Sequence, residues 1–273
     1  MSNDVPGFER TTLTFTDVGR GVAPTKDVYR RGTGPAVIVM SEVPGITPEV
    51  RKLAHAVAEA GFSVWMPQLF GTPMKPMSAI GTAGVLASLC VSREFALLAC
   101  DESSPVVDWL RALARHAHAE CGGPGVGAIG MCITGNFALG MMLGSPVVAP
   151  VLSQPSLPVG ISPKTRRSLH ASKEAIDAVR EKIATSGARV LGLRFLGDIL
   201  CPGTRFARLR EELGDGFEAI ELDPRDASPR SGTPAHSVLT VHLIDEAGEP
   251  TRAALDRTLA FLSEQLRPER NGR

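Results

Sequence analysis

The sequence predicts an α/β fold, a mainly parallel central sheet with helices on both faces, and three observations carry the prediction. Short apolar runs alternate with segments of helical periodicity along most of the chain, the pattern of successive strand-helix-strand crossovers. Ala36 to Met40 is an unbroken apolar run rich in β-branched residues, the mark of a strand buried on both faces. From Cys121 to Pro163 there is no charged side chain, yet Gly, Pro and Asn136 interrupt the stretch too often for the run of about 18 apolar residues that a membrane span needs. It reads as the buried centre of a sheet.

Taken in order, Thr11 to Val18 and Asp27 to Arg31 read as an antiparallel lead-in with a turn between them. Ala36 to Met40 follows and ends in the loop Ser41 to Gly45. Thr47-Pro48 is a helix start, and Val50, Leu53, Ala54 and Val57 fall on one face of a helix running to Ala60. Ser63 to Met66 is the next strand, stopped by Pro67. Gly71 to Ser103 is less regular. Its first part is too rich in Gly and Pro for a regular element, and Ala83 to Ala99 has the spacing for one or two helices, an insertion of the kind that covers active sites. Ser104-Pro105 opens a helix to about Ala119. Val126 to Ile129 is a strand, Gly130 to Gly135 a turn, and Asn136 to Leu143 a helix. Val147 to Leu152, Arg189 to Leu196 and Phe217 to Leu222 are further strands, separated by helices over Ser172 to Ser186 and Thr204 to Leu213. Pro250 to Leu266 is a final amphipathic helix.

Composition narrows the possibilities. A chain of 273 residues, 43% hydrophobic, suits one domain spanning residues 1–273 with a sizeable core. Lys plus Arg and Asp plus Glu are both 29, so the net charge is zero and neither a nucleic-acid nor a membrane partner is expected. Cys90, Cys100, Cys121, Cys132 and Cys201 are odd in number without paired spacing, and residues 1–10 lack an apolar signal core. A reducing, cytoplasmic setting follows. No C-x-x-C or H-E-x-x-H spacing suggests a metal.

The chemistry gathers around Cys132, at the apex of Gly130-Met131-Cys132-Ile133-Thr134-Gly135. Small residues flanking a nucleophile between a strand and a helix are the pattern of a nucleophile elbow, where a thiol would meet helix N–H groups that favour the thiolate. A buried structural cysteine would fit the local pattern equally well. In a parallel sheet, reactive groups collect on loops at the carboxyl ends of strands, and Glu42, Cys132 and Asp198 all fall there. His236 lies in the polar loop after the last strand. His55, His116 and His118 lie on predicted helices, His170 in a polar connection and His242 in an apolar run. A thiol is mostly protonated at neutral pH and needs a base, and a histidine base needs a carboxylate to hold its tautomer. Cys132, His236 and Asp198 meet that need, in the chain order of α/β-hydrolase triads.

These residues resemble the dienelactone hydrolase family, α/β-hydrolase-fold enzymes with a cysteine nucleophile. The resemblance rests on Ile38 to Gly45, Pro67 to Phe70, Gly130 to Gly135, Gly197-Asp198 with Pro202, Ala235-His236-Ser237 and Asp256 to Leu262. It implies Cys132 as nucleophile, His236 as base and Asp198 as its partner. It also implies Glu42 as the group that holds the resting thiol and takes its proton, with the Val43 and Ile133 N–H groups as the oxyanion hole. No cofactor is implied, the partner is a small-molecule ester or lactone, and the working form is a monomer. Thr134 stands where the family elbow has the first of two glycines. Thr240 stands four residues beyond the histidine, where the family carries an arginine that grips a substrate carboxylate; Arg93 and Lys75 lie near a second such position. The expected activity is hydrolysis of an ester, lactone or thioester through a thioacyl-enzyme. The competing expectation is a non-catalytic binder whose apolar ligand sits on Met74, Met77, Met141 and Met142, and adjacency suggests a redox role for Cys201 beside Asp198.

Overall fold

The computed structural model describes residues 4–16, 25–76, 83–85, 102, 104–229 and 232–267. Eight strands form one sheet: β1 (Glu9–Thr14), β2 (Thr25–Arg31), β3 (Ala36–Met40), β4 (Ser63–Pro67), β5 (Val126–Met131), β6 (Val147–Ser153), β7 (Val190–Phe195) and β8 (Phe217–Leu222). Their spatial order is β1-β2-β4-β3-β5-β6-β7-β8. β1 pairs antiparallel with β2 and β2 antiparallel with β4, while every other pairing is parallel. The expected antiparallel lead-in joined to a parallel sheet is present.

The alternation of side chains along the central strands feeds two cores. Ile38 and Met40 of β3 point into one, shared with α2 (Val106–Cys121), α5 (Lys173–Ser186) and α6 (Gly203–Leu213). Val37 and Val39 point into the other, shared with α1 (Pro48–Glu59) and α7 (Pro250–Leu266). Both faces of β3 are therefore covered, which is why its sequence carries no polar residue. Helix starts follow their capping residues: Thr47 Oγ1 accepts the Val50 N–H at 3.3 Å, and Ser172 Oγ accepts that of Ala175 at 3.2 Å. The four residues expected on the inner face of α1 are the four it buries.

Two departures have physical causes. The helix expected over Asn136 to Leu143 is only one turn, α3 (Phe137–Gly140). Beyond it the backbone tightens into turns that bond three residues back, Met142 to Leu139 and Leu143 to Gly140, and Gly144 is left-handed at φ +62°; the Gly140 carbonyl also accepts the Arg111 guanidinium of α2 at 3.1 and 2.7 Å. A short helix that sequence periodicity did not suggest, α4 (Pro163–Arg167), is nucleated by Ser162, whose hydroxyl accepts the Thr165 N–H while Thr165 reciprocates. Of the insertion expected over Gly71 to Ser103, residues 83–85 are helical; 77–82, 86–101 and 103 lie outside the described residues, as do Met77 and Arg93. Among the described residues no helix is long and apolar enough to cross a membrane.

Candidate active site

The elbow is built by steric necessity. β5 ends at Met131, and Cys132 has φ +55°, a left-handed conformation that is uncommon for a non-glycine residue and concentrates at functional sites. A 3₁₀ turn, Cys132–Thr134, follows. A Cβ on Gly130 would stand 2.2 Å from the Thr134 carbonyl oxygen, and one on Gly135 would stand 2.5 Å from Pro155 Cα. Neither position can carry a side chain without moving backbone. Thr134, by contrast, fits because its side chain turns under the elbow. Its hydroxyl accepts the Met131 N–H at 2.9 Å and lies 2.9 to 3.2 Å from the carbonyls of Met131, Met40 and Ser41, to one of which it donates. The residue that replaces a family glycine thus ties the nucleophile turn to the end of β3. Thr134→Val keeps the shape and leaves the Met131 N–H without its buried acceptor. It is expected to cost about 1–3 kcal/mol of stability in chemical denaturation, and an unchanged midpoint would show that the tie is dispensable.

Asp198 follows β7 in the loop Leu196 to Cys201. Its Oδ1 accepts the Leu200 N–H at 2.9 Å, and its Oδ2 faces His236 Nδ1 at 2.7 Å. With Nδ1 committed to a carboxylate, Nε2 is the ring atom free to exchange a proton. Nε2 is buried and meets no partner in hydrogen-bond geometry among the described residues. Burial works against the charged ring, but the charge of the Cys132 sulfur and the Asp198 carboxylate outweigh it and raise the His236 pKa well above its usual value. Asp198 is held below the usual carboxylate range: burial opposes this, and the His236 bond and charge overcome it. The sulfur, ring and carboxylate therefore form one electrostatic unit, still partly open to solvent at Cys132 and His236.

This unit has a pH signature. Because the folded pKa of His236 is raised, its contribution to stability is complete below the unfolded value of about 6.5 and is lost as pH rises through the folded value. In histidine-ring NMR titrations, His236 should remain protonated through neutral pH in the wild type and titrate at lower pH in Cys132→Ala. Identical titrations would show that the sulfur is not the source of the shift.

Glu42, two residues past β3, is buried and fully occupied. Ser237 Oγ donates to Oε2 at 2.6 Å, Gln154 Nε2 donates to Oε2 at 3.1 Å, and Thr240 Oγ1 donates to Oε1. Burial raises its pKa, and the bonds from Ser237 and Thr240, the charge of His236 and the Gln154 bond only partly offset that. No hydrogen bond joins Glu42 to Cys132 among the described residues. Val43 and Ile133 are buried beside Glu42 and Cys132 in sequence, and among the described residues neither amide N–H is engaged by a turn or a side-chain acceptor.

Three residues around Glu42 escaped the sequence reading as site residues. Ser237 adjoins His236, and Thr240 was visible only as a missing arginine. Gln154 carried one usable signal, being the first long polar side chain after β6, at a strand end. It too is left-handed, φ +35°, and its Oε1 accepts the Val238 N–H at 3.3 Å, tying the His236 loop to Glu42. The rival histidines have other work. His55 and His116 pair with Glu59 and Glu120, His118 meets the Gly123 carbonyl, and His170 bonds Ser104. His242 Nδ1 accepts the Ser237 N–H at 3.0 Å and so shapes the loop that holds His236. Lys75 is exposed, and Met141 and Met142 are fully buried in the core. Cys201 is completely buried, which pushes its pKa far up and keeps the thiol protonated. A cavity of about 300 Å³ lined by Glu49, Lys52, Leu239, Thr240 and Asp245 reaches Thr240 but none of Cys132, His236 or Asp198.

A parallel sheet with an antiparallel edge, helices on both faces and a strained residue between β5 and a short helix defines an α/β-hydrolase fold. The chain belongs to the dienelactone hydrolase family, whose profile matches residues 22–158. Among solved structures, a Klebsiella pneumoniae subsp. pneumoniae protein provisionally described as a dienelactone hydrolase is similar at 19% identity, covering 94% of this chain and 99% of its own, with TM-score 0.61. Dienelactone hydrolase from Anabaena variabilis is similar at 17% identity over 96% of this chain and 100% of its own, TM-score 0.57. A dienelactone hydrolase-like promiscuous phosphotriesterase from metagenomic libraries is similar at 17% identity over 95% and 99%, TM-score 0.58. At these identities the structures share the fold alone. No curated protein matches the chain by sequence. Family and fold support a hydrolase acting on a small molecule.

Proposed function

We propose that this hydrolase cleaves an ester, lactone or thioester through a thioacyl-enzyme on Cys132. The observation that carries the reading is the left-handed Cys132 beside a His236 ring whose other nitrogen is bonded to Asp198. The thiol proton rests on His236, whose raised pKa keeps it there at neutral pH, and the thiolate attacks the carbonyl carbon. The resulting oxyanion is held by the Val43 and Ile133 N–H groups. On collapse the carbon–oxygen bond of the leaving group breaks and His236 returns the proton to it. Water, activated by the same ring, then releases the acid and restores the thiol. The resemblance casts Glu42 as the acceptor of the thiol proton; with its oxygens bonded by Ser237, Thr240 and Gln154 and its own pKa raised by burial, the proton is assigned here to His236 instead.

Thr240 hydrogen-bonds Glu42 where the family carries a cationic grip, so the substrate is one without a carboxylate at that position. A single domain working as a monomer in the cytoplasm belongs to this reading, and a reducing setting accords with the free thiols at Cys121, Cys132 and Cys201 among the described residues. The binder reading is weakened by Met141 and Met142, whose burial in the core leaves no face for a ligand.

The test is a pre-steady-state experiment with p-nitrophenyl acetate. A burst of p-nitrophenol approaching one equivalent is expected, with the acetyl group recovered by peptide mass spectrometry on Cys132 and not on Cys121 or Cys201. Acetylation elsewhere, or none with turnover intact, would refute the cysteine route.

A further inference from the structure

Among the described residues, the large hydrophobic side chains left exposed are Val159, Ile161, Leu196, Ile199 and Leu200, with Ile161 and Ile199 at 74% and 75%. Apolar side chains scattered singly over a surface need no explanation. These are not scattered. They fall in two loops, and both loops are fastened to the catalytic unit. The first follows β6 and is tied to the elbow, where the Ser156 N–H donates to the Cys132 carbonyl at 2.9 Å and Pro155 packs on Gly135. The second contains Asp198, with Leu196 on one side of it and Ile199 and Leu200 on the other.

A single buried guanidinium holds the two loops together. Arg205 donates to the carbonyls of Pro155 at 2.5 Å and Pro158 at 2.7 Å in the first loop, and reaches that of Leu200 at 3.5 Å in the second. Further bonds to Thr165 and Ser168 carry the first loop back into α4 and its end. The exposed side chains are thus mounted on ordered backbone, which lowers the entropic cost of binding against them. Both loops are thus tied to the catalytic unit, one through the Cys132 carbonyl and the other through Asp198, and Cys132 is itself partly exposed. In the loop that follows His236, the hydroxyl of Thr240 is committed to Glu42.

We propose that Val159, Ile161, Leu196, Ile199 and Leu200 seat the apolar chain of a neutral ester substrate, so that the enzyme selects for a medium-length hydrophobic group next to the scissile bond; this rests on the Cys132 hydrolase reading. Burying methylenes against such a surface strengthens transition-state binding with each carbon added. Lys164 and Arg166 are exposed just beyond Ile161, which makes an anionic lipid surface the competing occupant.

The test compares kcat/KM for p-nitrophenyl octanoate and p-nitrophenyl acetate in the wild type and in Ile161→Ser/Ile199→Ser. The octanoate-to-acetate ratio should fall about tenfold in the variant, and an unchanged ratio would overturn the proposal. A second arm separates the seat from the chemistry by titrating octan-2-one, a neutral carbonyl compound that cannot be hydrolysed, into Cys132→Ala with and without the two serine changes. Weaker ketone binding in the serine variant supports the seat even if no ester is turned over, a result that would defeat only the hydrolase reading. Equal ketone binding overturns the seat. So does loss of cosedimentation with phosphatidylglycerol vesicles in the serine variant at an unchanged ester ratio, which would assign the patch to a lipid surface.

Discussion

Cys132→Ala is expected to lower kcat/KM on p-nitrophenyl acetate by at least about 10³-fold while leaving the fold intact, because the attacking atom is removed and little else is. Alanine adopts the same φ of +55° at the same cost as cysteine, since the strain comes from the Cβ that both share. The Cys132 carbonyl keeps the Gly135 and Ser156 N–H groups, and Thr134 keeps its tie to β3. Thermal unfolding should therefore shift by only a few degrees, about 1 kcal/mol or less. Retention of more than a tenth of wild-type turnover in this variant would remove Cys132 from the mechanism.

Gly130→Ala tests the elbow from the opposite direction, by adding one carbon where the backbone leaves no space. That carbon would meet the Thr134 carbonyl oxygen at 2.2 Å and its carbon at 2.9 Å, both backbone atoms in a turn that Thr134 pins to Met131 and β3. Relief requires the turn to open, which breaks those bonds and moves Cys132 away from His236. A loss of about 3 kcal/mol or more is expected, seen as a fall in Tm of roughly 6–12 °C, together with near-complete loss of activity. A stable, active Gly130→Ala protein would mean that the turn is looser than these distances imply.

Much of the architecture was legible in the residues because it rests on local patterns. The all-apolar run of β3, the Thr47-Pro48 start of α1 and the four inner residues of that helix are set by short-range chemistry, and each matches the structure. What the residues did not disclose depends on contacts distant in sequence. At the end of α3 the Gly140 carbonyl is shared with Arg111 from another helix, and the clasp on Glu42 brings together Gln154, Ser237 and Thr240 from two separate loops. Thr134 is the most instructive case. As a letter in a motif it marked a departure; its hydrogen bonds give the departure a structural use.

His242 anchors the His236 loop from both sides: its backbone carbonyl accepts the Ser228 N–H at 2.9 Å, and its Nε2 lies 3.3 Å from the Thr233 carbonyl and hydroxyl. From Ser237 onward the chain is clamped: the Ser237 N–H to His242, its hydroxyl to Glu42, the Val238 N–H to Gln154. Before it, Pro224, Arg225 and Gly232 to Pro234 are exposed. The side chain that fixes the Ser237 N–H thus also holds Thr233, and its backbone holds Ser228, so His242 works as a rivet through the loop; a change of loop length, in evolution or by engineering, disturbs the base least when it falls before Ser228, at the exposed Pro224 and Arg225.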